Sequence, residues 1–323
     1  MSSEWDRRRF LKRLGLVGVG AAGSTAVGLL ANDAGRYAPI SLPTVTGRFD
    51  FTTGLPAQKQ TLSLGRGAPT IATEKAIEAL GGMGQFVLPD EHVVIKPNAG
   101  WDRTPVQAAN TNPEVVGTLV KLCLAAGARK VTVTDNTCND PKRCFTRSGI
   151  WKAVEAAGGE VVLPAKHRFE RRDLGGVLGN IPVLTPVIEA DRLVNVAIAK
   201  HHGQAQFTGA MKNLYGVIGG RRNRHHQQID HSIAHLAVAF KASLTLVDAT
   251  RVLMKNGPQG GDIDDTKAVG QVIAATDPVA LDAYACTLIG LQCGVLPYLK
   301  LAEQCGLGTT DLATVRKVGA FNV

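Results

Sequence analysis

The chain has 323 residues, of which 45% are hydrophobic and only 5% aromatic, with 36 glycines. That length fits one large α/β domain or two modest ones with ample core, and so few aromatics argue against a stacking surface for single-stranded nucleic acid. The formal net charge of +9 suits an anionic substrate or an anionic membrane surface. It is not the dense basic stripe of a DNA-binding domain, so no nucleic-acid partner is expected.

The amino terminus carries Arg7, Arg8, Arg9, Lys12 and Arg13 against Glu4, Asp6 and Asp33, leaving 31 bases and 24 acids in the remainder. Arg7-Arg8-Arg9-Phe10-Leu11-Lys12 resembles a twin-arginine translocation signal and precedes an uncharged Gly/Ala-rich apolar run, Leu14 to Ala31. The implied partner is the twin-arginine translocase. The implied location is the periplasm or the outer face of the cytoplasmic membrane, with membrane contact only through this segment. Asn32 disfavours cleavage after Ala34, so residues 1–34 read as a signal or a retained anchor. Residues 35–70 read as an irregular linker or wrapping segment, and 71–323 as a single α/β domain.

Further on, Thr73 to Leu80 is a short amphipathic helix with Thr73 as N-cap. His92 to Ile95 is a strand running into Lys96-Pro97-Asn98. Asn112 caps a helix that has Pro113 at its first position and ends at Gly127. Val131 to Thr134 is a strand ending at Asp135-Asn136, Gly149 to Ala157 a helix, and Glu160 to Leu163 a strand. Leu193 to Ala199 is a buried strand that delivers Lys200, His201 and His202. A helix over Ser232 to Phe240 and a strand over Ser243 to Val247, ending at Asp248, follow. Ala275 leads to Asp277 and a helix over Val279 to Ile289, and the last helix is Leu296 to Glu303. The alternation predicts a mostly parallel sheet flanked by helices, a Rossmann-like three-layer α/β fold. Ligands in such sheets sit outside the carboxyl ends of the strands. Lys96, Asn98, Asp135, Asn136, Lys200 to His202, Asp248 and Asp277 are the groups expected there.

Six of the eight histidines lie between His201 and His235, and imidazole both binds metals and moves protons near neutral pH. Lys200, His202 and Lys212 near one point would lower each other's pKa, leaving a neutral imidazole as a base or a lysine poised for proton transfer. They are the candidate catalytic residues. Lys96, Asn98 and Asn213, with Lys255 and Asn256 on a glycine-rich loop, are candidate substrate-binding residues for a small anionic ligand. His231 and His235, four apart on a helix, could share a divalent metal with His226, and Asp135 or Asp248 could complete the set. The Ser at position 232 removes the zincin pattern. Arg221, Arg222 and Arg224 read equally as phosphate ligands or as a solvated turn. No C-x-x-C pair is present, so an iron–sulfur cluster is not expected. Cys138 and Cys144 flank a short loop and could pair in an oxidising compartment.

The series VVIKPN, NPEVV, GARKVTVTDN, AKHHGQAQFTGAMKNLYGVIGG, LVDATRVLMKNGPQGG and AATDPVALDAYAC resembles domain of unknown function family 362. Members are often described as iron–sulfur or ferredoxin-like because some carry an added cluster domain. This chain lacks that cysteine set, so no carboxy-terminal ferredoxin domain is expected. The resemblance marks which residues matter and carries no established activity. Two readings stay open: an exported enzyme, using redox or isomerisation chemistry on a small anion, and a non-catalytic holder of a metal or cofactor, or maturation factor, for an envelope redox complex.

Overall fold

A computed structural model describes residues 48–56 and 60–322; the twin-arginine-like segment lies outside them. The central sheet is built from β1 (Thr61–Arg66), β2 (His92–Pro97), β3 (Lys130–Val133), β4 (Glu160–Val161), β5 (Arg192–His202), β6 (Gln206–Thr208), β7 (Leu244–Leu253), β8 (Thr266–Ala275) and β9 (Arg316–Gly319). Its order is β9-β1-β8-β7-β5-β2-β3-β4, with β6 folded back on the end of β5. β8 runs antiparallel to both neighbours. The pairs β7–β5, β5–β2, β2–β3, β3–β4 and β9–β1 are all parallel. The expected α/β class with a mostly parallel sheet is therefore the observed one.

The strands alternate between two cores, as the period of two demands. Val93, Ile95, Val131, Val133, Val194, Val196, Leu244 and Leu246 face one side, under α1 (Pro69–Ala79), α2 (Pro113–Ala125) and the short α4 (Ile150–Ala156), which follows α3 (Pro141–Arg147). Val94, Leu193, Ala197, Ala199, Val247 and Ala249 face the other. There they meet α6 (Ile229–Ala239), α7 (Pro278–Ala285) and α8 (Pro297–Gln304), which follow a single turn of helix, α5 (Ala210–Asn213). Each fully buried Val, Leu or Ile contributes about 1.5–3 kcal/mol, so both faces of the central strands are committed to core. That leaves the strand ends for polar groups.

Several elements depart from expectation. The stretch assigned to a linker contains β1, whose Leu62 and Leu64 are fully buried. Helix α1 starts at Pro69 after Ala68, and Thr73 lies inside its first turns, its hydroxyl donating to the Pro69 carbonyl at 2.7 Å. Asn112 caps α2 as expected, its side chain accepting from the Glu114 amide at 2.8 Å. Because β8 is antiparallel, Asp277 emerges at the opposite edge of the sheet from Lys96 and Lys200. There it caps α7 by accepting from the Val279 and Ala280 amides at 2.9 Å. Among the described residues no helix is long and apolar enough to cross a membrane.

Candidate functional site

At the carboxyl ends of β5, β2 and β3 lies a cavity of about 440 Å³, lined by Lys96, Asn98, Trp101, Asp135, Cys138, Lys200, His202, Thr208, Lys212, Asn213, Tyr215, Arg222 and His226 among others. Its floor is one hydrogen-bonded chain across three neighbouring strands. Lys200 Nζ donates to Asn98 Oδ1 at 3.0 Å and to the Ala109 carbonyl. Asn98 Nδ2 donates to Asn213 Oδ1 at 3.1 Å, and Lys96 Nζ reaches the same oxygen at 2.8 Å. Asn213 Nδ2 in turn donates to Asn195 Oδ1 at 2.8 Å and to the Lys96 carbonyl at 3.3 Å. Lys96 completes the chain with Asp135, Nζ to Oδ1 2.8 Å, while Asp135 Oδ2 accepts from the Ala99 amide at 2.7 Å. Desolvation of so many polar groups is tolerable only because each is partnered.

Two glycines let the walls close on this network. A Cβ on Gly216 would lie 1.8 Å from Asp135 Oδ1 and 2.5 Å from Lys96 Cε, so no side chain fits there while the ion pair exists. Gly209 likewise sits against Asp282, where a Cβ would lie 2.2 Å from Oδ1. The Asp282 carboxylate is fully buried and accepts from the Ala210 amide at 2.6 Å and the Met211 amide at 3.0 Å. It thereby fixes the first residues of α5, the turn that carries Lys212 and Asn213. Burial raises its pKa to about 7, against the two amide donors.

Above the floor the groups are less committed. Lys212 is 8% exposed, and its Nζ lies 3.9 Å from the centroid of the Tyr215 ring. The amine makes no hydrogen bond among the described residues. Burial lowers its pKa to about 7, with Arg222 and Lys96 adding to the fall and Cys138 opposing it. Burial likewise brings Lys200 to about 7. His202 is pushed down to about 3 by burial and by the charges of Lys212 and Lys200, so its ring is neutral. Its Nδ1 accepts from the amides of Gln204, 3.1 Å, and Ala205, 3.0 Å. The proton is therefore assigned to Nε2, which makes His202 a hydrogen-bond donor and not the base anticipated from sequence. His226 stacks beside it, ring centroids 6.4 Å apart, and contacts Tyr215 at 5.2 Å.

The remaining candidates divide clearly. Lys96, Asn98 and Asn213 do converge with Lys200, His202 and Lys212, but as a self-satisfied floor. Lys255 is exposed and pairs with Asp265 at 3.2 Å, and Asn256 Nδ2 donates to the same carboxylate at 2.8 Å. Both stabilise their own loop and do not line the cavity. The anticipated metal set is not brought together: among the described residues no group of three His, Cys, Asp or Glu side chains could hold an ion. Asp135 is taken by Lys96. Asp248 is buried, accepting from the Asn112 amide at 2.7 Å and from both the amide and hydroxyl of Thr250. His235 Nδ1 accepts from the Val177 amide at 3.3 Å, on α6 with the half-buried His231. Cys138 and Cys144 are free thiols.

Sequence reasoning undervalued Arg222, whose guanidinium donates to the carbonyls of Asn136, Thr137 and Tyr215 and so ties the cavity wall to the end of β3. It assigned no site role to Thr208, Tyr215 or Trp101. Only Tyr215, three residues after Lys212 on a helical turn, left a usable spacing signal.

The fold and site together define an α/β protein with a cationic, polar-floored cavity at the carboxyl ends of its parallel strands. The chain belongs to the family described as "Domain of unknown function (DUF362)", whose pattern matches residues 93–287. It is 25% identical over 242 residues to the thylakoid-associated protein sll1697 of Synechocystis sp. (strain ATCC 27184 / PCC 6803 / Kazusa), covering 72% of this chain and 74% of that protein. Among solved structures it is similar to the lactate racemase apoprotein of Thermoanaerobacterium thermosaccharolyticum, with 16% identity and a TM-score of 0.42 over 72% of this chain and 58% of that one. A Thermotoga maritima protein matches at 13% identity and a TM-score of 0.36, over 75% of this chain and 60% of that one. The chain thus spans about three-fifths of the length of these two structures.

Proposed function

We propose that the protein is an exported enzyme acting on a small anionic substrate, with Lys212 as the group that takes up and returns a proton. The observation that carries this reading is Lys212 itself, an amine inside a cavity, with no hydrogen-bond acceptor among the described residues and a pKa of about 7. An amine so tuned is divided between base and conjugate acid near neutral pH, the condition for efficient proton transfer. The third proton of Lys200 and the Nε2–H of His202 supply donors to the anion, and Asp135, the one carboxylate among the described residues that line the cavity, is neutralised by Lys96. Proton removal and return at a carbon beside the anionic group is the chemistry this set supports, an isomerisation more than a redox step. The Arg7-Arg8 motif supports export through the twin-arginine route. The Synechocystis relative is described as thylakoid-associated, which agrees with a location beside a membrane.

A panel of hydroxy, oxo and dicarboxylic acids with inorganic phosphate tests the reading. Thermal shift reports binding, and proton NMR in D₂O reports exchange of carbon-bound hydrogen. Anions that bind should raise the Tm of the wild type, and Lys212→Met should abolish exchange. Failure of every anion to shift Tm would sink the proposal, as would exchange that persists at the wild-type rate in Lys212→Met.

A further inference from the structure

Cys138 is a cavity-lining thiol that the proton-transfer reading leaves unused. It follows the end of β3, exposed to the cavity, on backbone held from several sides. Its amide donates to the Gly100 carbonyl at 2.9 Å, the Asn139 amide reaches the same carbonyl at 3.2 Å, and Arg222 Nη2 donates to the Thr137 carbonyl at 3.0 Å. The other cysteines are placed differently. Cys123, Cys144 and Cys286 are buried, and burial pushes their thiols up to about 12, 11 and 12. Cys293 and Cys305 are half-buried and lie outside this cavity.

A thiol alone defines no site, but two further groups of the same cavity lack a hydrogen-bond partner among the described residues. Thr208 is 2% exposed and lines the same cavity, and its hydroxyl has no hydrogen-bond partner. That oxygen is sealed from solvent, so its unmet hydrogen bond is a cost carried inside the cavity wall. Lys212, nine-tenths buried and equally without an acceptor, adds a cation. Cationic, partly exposed surroundings of this kind are where reactive cysteines occur.

We propose that Cys138 is a nucleophile of this cavity, forming a covalent bond to an electrophilic carbon of a small carboxylate ligand. The proposal rests on the anion-binding reading above. In the step, the thiol proton passes to the neutral amine of Lys212 and sulfur forms the new bond to carbon. The electron pair displaced from that carbon leaves with its leaving group, or moves onto a carbonyl oxygen that Lys212, having taken up the thiol proton, can protonate. No oxidant or further reactant is needed.

Alkylation of the reduced full-length protein by iodoacetate and by iodoacetamide, followed by peptide mass spectrometry, tests it. Sulfur displaces iodide in both cases, and only the first reagent carries a carboxylate. The iodoacetate-to-iodoacetamide rate ratio at Cys138 should exceed that at Cys293 and Cys305 by about tenfold or more, because a cationic cleft concentrates the anion. Lys212→Met and, independently, Lys200→Met should each lower that ratio severalfold, and Cys138→Ser identifies the labelled peptide. Inorganic phosphate should slow Cys138 selectively. A ratio at Cys138 equal to that at Cys293 overturns the proposal. If phosphate still raises Tm in that case, the anion site stands and only the thiol's role fails. A high ratio at Cys138 with no anion shifting Tm would support the thiol and defeat the enzyme reading instead.

Discussion

Lys212→Met should make the protein more stable while removing the proposed proton transfer. In the native state the ammonium is buried, contacts the Tyr215 face at 3.9 Å, and has no hydrogen-bond acceptor among the described residues. Its pKa falls from 10.5 to about 7. A base whose folded-state pKa lies below its unfolded one releases its proton on folding. Stability therefore rises as pH climbs from about 7 to about 10.5, and the whole penalty is present at and below pH 7. The gap corresponds to at most about 5 kcal/mol at 1.36 kcal/mol per pH unit. The cation–π contact with Tyr215 offsets about 0.5–2 kcal/mol of it. Methionine keeps most of the side-chain volume and leaves no polar atom to desolvate. The variant should be more stable than the wild type by roughly 2–4 kcal/mol at pH 7, and by little near pH 10. Equilibrium urea unfolding at the two pH values measures this. Added phosphate should narrow the difference at pH 7, because it binds the native wild type more tightly than the variant. An equally stable or weaker Lys212→Met at pH 7, or the same difference at both pH values, would refute the reasoning.

Gly216→Ala places a methyl group 1.8 Å from Asp135 Oδ1 and must separate the buried Lys96–Asp135 pair. It should cost about 3–5 kcal/mol in urea unfolding, and a wild-type midpoint would contradict the packing described. Asp282→Ala leaves the Ala210 and Met211 amides without their acceptor, at about 1–3 kcal/mol each. Because the Asp282 pKa is raised to about 7, its stabilising contribution is full below pH 3.8 and declines as pH rises towards 7. The variant's deficit in Tm should accordingly be larger in acid than at neutrality, and a deficit independent of pH would argue against that assignment. Lys255→Ala removes an ion pair whose lysine is 65% exposed. It should change stability by no more than about 1 kcal/mol and leave anion-dependent Tm shifts intact, whereas loss of those shifts would return Lys255 to the site.

How far the site can be read from sequence depends on which kind of information each residue needs. Lys96, Asp135 and Lys200 were legible because apolar strands with a period of two end beside them, and parallel strands deliver their carboxyl ends to one edge. Asp277 obeyed the same local rule and failed, because the direction of β8 is set by its pairing with β7 and β1 and not by its own residues. The strand β1 was hidden for a similar reason: six residues among Pro and Gly look like linker until β8 and β9 supply the partners. The histidine-rich stretch shows the limit most plainly. Its density indicated a metal, yet Asp135 and Asp248, the proposed companions, are satisfied by Lys96 and by the Asn112 and Thr250 amides from elsewhere in the chain. What His202 can do was set by two amides in the turn just after it, Gln204 and Ala205, which occupy Nδ1 and leave the proton on Nε2. A neutral imidazole in that tautomer offers the cavity a donor. In the proposed proton transfer the base would then be an amine, and Lys212 is the cavity amine that burial has tuned and no hydrogen bond engages.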